Sequence, residues 1–188
     1  MITGYFRKRS FHEAGHAAEA IFLAVPFKAI TIQSQAESLG RAVFAVRPKW
    51  ALPDSPGFNE GRARVWIEKT TRVAFAGQIA AAIHAGWIPA HYSRESDYGR
   101  TFDNAVTICS SEDECSAWLN WLFIRSRDQL LLPAIWSGVG ALAETLMRGG
   151  IVSAADAQKI FDAAIAESNR GALDRSNRKD RSATGGHE

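Results

Sequence analysis

From residue 10 to Pro26, apolar side chains recur at Phe11, Ala14, Ala18, Ile21, Phe22 and Val25, three or four positions apart. That spacing predicts a helix, and Ser10 with Glu13 three residues later reads as a capping box at its start. The period then shortens. Residues 29–32 and 41–46 are β-prone and separated by a polar loop ending in Gly40, which predicts a short hairpin or ribbon. Residues 47–61, with Pro48, Pro53, Pro56, Gly57 and Gly61, predict a loop. Helical spacing returns from about Glu60 to His84 through Val65, Val73, Ala76, Ile79, Ala80 and Ile83, and Gly86 stops it.

A third helix is predicted near Ser96 and Asp97, carrying Phe102, Ala105 and Val106. Ser111 and Glu114 announce a fourth with Trp118, Leu119 and Leu122, and Pro133 breaks or kinks it. The last two helices are predicted over 134–147, closed by Gly149 and Gly150, and over 154–168, capped by Ser153. The pattern contains no internal repeat. It predicts a mainly α fold of α+β type, one domain over residues 1–169, and a basic, disordered tail over 170–188.

Composition narrows the function classes. An apolar fraction of 46% and a charged fraction of 22% belong to a globular chain. Arg170, Arg175, Arg178, Lys179 and Arg181 of the tail, set against Asp174, Asp180 and Glu188, account for the whole formal charge of +2. The body therefore has no basic stripe for nucleic acid. No run approaches the roughly 18 apolar residues of a membrane span, and the cluster Arg7, Lys8, Arg9 is followed by His12 and Glu13 instead of an uninterrupted apolar stretch. A cytoplasmic protein without nucleic-acid or membrane partners is expected. Cys109 and Cys115 have neither redox nor zinc-site spacing and read as incidental thiols. Six tryptophans, among them Trp87 and Trp121, are expected mostly in the core, with an exposed contact surface as the other reading.

The candidate chemistry is His12-Glu13-Ala14-Gly15-His16. Positions four apart lie one above the other on a helix, so His12 and His16 can offer ring nitrogens to one ion. Glu13 is rotated about 100° from His12 and can accept a proton beside that ion. Imidazole ligands and an open coordination position favour Zn2+. The plainer alternative is a cap glutamate with two solvated histidines. A third protein ligand must come from elsewhere, and spacing leaves His84, His91, Glu95, Asp97 and Asp103 open, with Asp97 also readable as an ordinary helix-start acid.

Taken together these segments resemble the peptidase domain of the FtsH-type AAA+ zinc metalloproteases. Residues 12–17 resemble that family's zinc helix, and 29–43 its following strand and Leu-Gly ribbon. Ala76-Gly77-Gln78 with Ala80 and Ala81 is similar to its A-G-R-x-A-E segment, residues 97–105 to its D-x-x-x-A-T-x-x-A helix, and residues 141–156 to its last helices. The resemblance covers roughly residues 10–165. It implies His12, His16 and Asp97 as metal ligands, Glu13 as the catalytic glutamate, and hydrolysis of a peptide bond by a zinc-bound water.

Two departures shape the expectation. The sequence has no phosphate-loop motif, so the ATPase that unfolds substrates in that family is absent. The acidic position of the A-G-R-x-A-E segment holds Ala81. The expected protein is an ATP-independent metalloendopeptidase acting on peptides or unfolded proteins, with a separate unfoldase or a homo-oligomer as candidate partner. The alternative is a catalytically weak or inactive binding module that keeps the metal site. The strand over 41–46 could accept an extended peptide by strand addition, although an edge strand needs no ligand.

Overall fold

The structure is a computed structural model that describes residues 2–33, 41–44, 48, 59–91, 103 and 105–184. Among them are five helices, α1 (Ile2–Phe22), α2 (Glu60–His84), α3 (Glu112–Leu130), α4 (Pro133–Gly149) and α5 (Ala154–Thr184), with three strands, β1 (Phe27–Thr31), β2 (Arg41–Phe44) and β3 (Ile151–Ser153). The protein is mainly helical with a small antiparallel sheet, as the hydrophobic pattern predicts. The loop expected over 47–61, most of the helix expected from Ser96, and Glu95 and Asp97 with it, lie outside the described residues.

Helix α1 organises everything else. It begins at Ile2, eight residues before the predicted start, because nothing from Ile2 to Arg9 breaks a helix. Ser10 is thus inside the helix, and its hydroxyl donates to the Phe6 carbonyl at 2.9 Å instead of capping. The predicted capping box is not formed, and Glu13 has no cap to serve. Burial along α1 is not confined to one face. From Ser10 to Ala20 every side chain except His12 is buried, whereas Phe22 is half exposed. Ala14, Gly15, Ala17, Ala18 and Ala20 are small enough for α2, α4 and β1 to close on several sides.

The helix ends where Val25 N–H bonds the Ala20 carbonyl at 2.8 Å and Ala24 takes a positive φ of 53°, turning the chain into β1. Strand β1 is central in the order β2-β1-β3. Ile30 faces Ala42 on one side and Val152 on the other. The hairpin is as predicted, and β3 is an addition. Its three residues carry too little pattern to be read as a strand, and they are recruited because Gly150, at φ 78°, offers its carbonyl to Thr31 Oγ1 (2.6 Å) and Ile32 N–H (3.2 Å).

Helix α3 starts as expected, the Ser111 hydroxyl accepting Glu114 N–H at 3.1 Å. Pro133 stands in the first turn of α4 and separates two helices that meet at 82°. Ser153 caps α5 through Asp156 N–H at 3.2 Å. Helix α5 continues through Thr184, into the stretch where composition predicts the tail, and Phe161 is the last buried side chain along it among the described residues. No single helix among the described residues is long and apolar enough to cross a membrane.

Candidate metal centre

The site forms where α1 crosses α2. Gly15 lets the backbones meet: a Cβ there would lie 2.5 Å from the Ala76 carbonyl oxygen and 2.6 Å from Ala80 Cβ. One residue along each helix, His16 lies over Gly77, where an added Cβ would fall within 2.8 Å of three atoms of the imidazole. Only glycine leaves room for the ring. The His16 side chain is thereby buried at 8% exposure.

A buried imidazole needs a partner, and His16 Nδ1 is 2.7 Å from the Val73 carbonyl oxygen, one turn before Gly77. A carbonyl only accepts, so Nδ1 carries the hydrogen and Nε2 presents its lone pair. That lone pair points to His12: the two Nε2 atoms are 3.0 Å apart, with the rings 87° from coplanar. Without an ion, a single hydrogen between the nitrogens is enough to satisfy both. Two imidazole nitrogens sharing one tetrahedral zinc stand about 3.3 Å apart when each Zn–N bond is about 2.0–2.1 Å. The pair therefore fits such an ion with a shift of a few tenths of an ångström. Fixing the ligand tautomer through a backbone carbonyl is the usual support for a metal-binding histidine.

Electrostatics point the same way. Burial first, then His16, Arg9 and Lys8, push the His12 pKa down to about 3. The ring is neutral at ordinary pH, the form in which histidine ligates. Glu13, beside His12 in the chain, is buried at 5% exposure.

The other candidate ligands separate clearly. His84 is stacked on Phe11, centroids 3.8 Å apart and planes within 6°. Asp103 is exposed. His91 lines the same open cleft of about 520 Å³ as His12, together with Gln78, Trp87 and Phe123. Among the described residues no three metal-ligating side chains come together.

A second polar cluster on α1 escaped the sequence reading. Glu19 Oε1 is 2.7 Å from Arg72 Nη2, and Ser126 Oγ of α3 donates to Glu19 Oε1 at 3.3 Å. Burial raises the Glu19 pKa, offset in part by Arg72. Its one sequence signal is register, since positions 12, 16 and 19 form a single stripe on a helix. Val73 had no signal at all, because its contribution is a backbone carbonyl. Compared with known proteins, the chain matches no family model and no curated protein.

Proposed function

We propose that this chain is a zinc metallopeptidase-like protein of the FtsH peptidase type, acting without ATP on unstructured peptides. The observation that carries this reading is the buried His16, its tautomer set by the Val73 carbonyl at 2.7 Å and its Nε2 3.0 Å from that of His12. A capping role for Glu13, the main competing account of the motif, has no cap to serve. In this proposal His12 and His16 hold Zn2+ with Asp97 as third ligand. Asp97 follows His91 of the His12 cleft by six positions and lies outside the described residues.

When bound, the ion supplies Lewis-acid activation of water and of the scissile carbonyl. The protein supplies the rest. The Val73 carbonyl keeps His16 in one tautomer and orientation. The Glu13 carboxylate accepts a proton from the attacking water and returns it to the departing amine. The helices around α1 keep bulk water from the Glu13 side.

Zinc content of the purified protein and cleavage of an unstructured peptide library test this reading. One zinc per chain is expected, with cleavage abolished in Glu13→Gln and zinc retained, whereas Asp97→Ala loses the metal. Zinc without Glu13-dependent cleavage would make the protein a binding module built on a peptidase-like site.

A further inference from the structure

The cleft beside His12 has a shape and polarity that specify a ligand. Its volume of about 520 Å³ falls within the roughly 300–1,000 Å³ of sites that enclose small ligands. The wall formed by α2 is Gln78, Ile79, Ala81 and Ala82, and the two alanines leave space open. Opposite chemistry comes from aromatic rings. Phe123 of α3, 2% exposed, is held edge-on by Phe75 at 5.5 Å. Trp87 is 58% exposed, an indole in water at the edge of a cavity.

That indole is placed by the backbone. At the end of α2, Gly86 takes φ 90°, its N–H bonds the Ile83 carbonyl at 3.0 Å, and Trp87 N–H bonds the Ala82 carbonyl at 3.2 Å. This paired closure folds the chain back over the last turn of α2 and sets Trp87 beside Ala81 and Ala82. Arg127 of α3 donates to the Pro89 carbonyl at 3.4 Å and ties down the same segment. The backbone that carries Trp87 is thus fixed before any ligand arrives, which reduces the ordering cost of binding.

Charge decides the rest. The described lining has a cation, Lys8, and no carboxylate. Against the described lining a lysine or arginine side chain would face Lys8, whereas an aromatic side chain would bury its faces against Trp87 and Phe123.

We propose that this cleft is the side-chain subsite next to the scissile bond, taking large aromatic residues of the substrate and rejecting basic ones. The proposal rests on the peptidase reading above and names its substrate class. Ala81, which replaces the acidic residue of the related motif, becomes part of an apolar wall instead of a lost contact.

Two measurements test it and separate its failure from that of the peptidase reading. In peptides differing at one position, kcat/KM is expected to be at least about tenfold higher for Phe than for Ala, and lowest for Lys. Trp87→Ala should bring kcat/KM for Phe peptides down toward that for Ala peptides, and Lys8→Glu should raise Lys peptides. Both positions are exposed, so the fold should survive. Independently of catalysis, the indole N–H resonance of Trp87, assigned with Trp87→Phe, should shift on titration with N-acetylphenylalaninamide and not with N-acetyllysinamide. A shift without cleavage supports the aromatic selectivity of the cleft and sinks the peptidase reading. Cleavage with no side-chain preference, or an unmoved indole resonance, overturns the subsite.

Discussion

Two polar clusters lie on one stripe of α1, both answered by α2, and they differ in what their burial leaves available. At the inner end, Glu19 meets Arg72 at 2.7 Å in a site where the two side chains are 0% and 6% exposed. Opposite charges are matched there and Ser126 closes the third side, so the cluster joins three helices, and none of its side chains lines the cleft beside His12. At the other end, His16 spends one nitrogen on the Val73 carbonyl, and its second nitrogen meets His12, which lines the cleft. A closed ion pair supplies specificity of packing. A histidine pair with convergent ring nitrogens beside a cavity supplies a place for a ligand. The difference lies in the partner chemistry, since both clusters are held by the same two helices.

Substitutions should divide along that line. The largest contrast is catalytic: Glu13→Gln is expected to lower peptide cleavage about 10²- to 10⁴-fold with zinc content unchanged, whereas Glu19→Gln should leave cleavage per folded molecule within a few-fold. Assays normalised to folded protein by circular dichroism distinguish the two. Equal losses in both variants would erase the proposed division.

Next in size is the ion pair itself. Glu19→Leu alone strands the Arg72 guanidinium in the core and should cost about 3–5 kcal/mol in chemical denaturation. Adding Arg72→Leu should recover most of that, because replacing both charges by apolar groups removes two desolvation costs at once. Zinc stoichiometry is expected to stay at one per chain in the double variant.

Gly77→Ala probes the open cluster through packing. The methyl group would meet the His16 ring, so the ring must move off its line with Val73. Stability should fall by about 1–3 kcal/mol, and zinc affinity about 10- to 100-fold, the usual effect of losing a ligand's orienting support. Competition with a chromophoric chelator measures the second quantity. Unchanged affinity would mean that the His16 orientation does not matter to the metal.

The smallest effect is on pH, and the two clusters should push it in opposite directions. His12 is lowered from 6.5 to about 3, so the unfolded chain binds a proton in that window that the folded chain excludes. Metal-free stability attributable to His12 therefore rises with pH between about 3 and 6.5, by at most about 1.4 kcal/mol per unit. The Glu19 pKa is raised, so its contribution has the opposite sign and falls as pH climbs above 4.5. Urea titrations of His12→Gln and Glu19→Gln across that range should flatten opposite components of the profile.

Much of this architecture was legible in the chain. The period changes locate α2, α3 and α4 to within a few residues, because apolar spacing, Ser111, Pro133 and Gly150 act locally. The hairpin of β1 and β2 was legible for the same reason. The motif His12-Glu13-Ala14-Gly15-His16 placed two imidazoles on one helical face by geometry alone, and their nitrogens meet at 3.0 Å.

What the chain could not disclose depends on partners distant in sequence. That α1 is enclosed on several sides follows from α2 and α4, far along the chain, closing with β1 on its alanines, and a local pattern cannot count neighbours. The Val73 carbonyl is a backbone group 57 positions from His16, chemically identical to every other carbonyl until folding aims it. Strand β3 exists only because β1 offers it an edge. Local spacing thus determined which groups share a face of one helix, and the tertiary structure decided which of them are paired off and which remain turned toward a cavity.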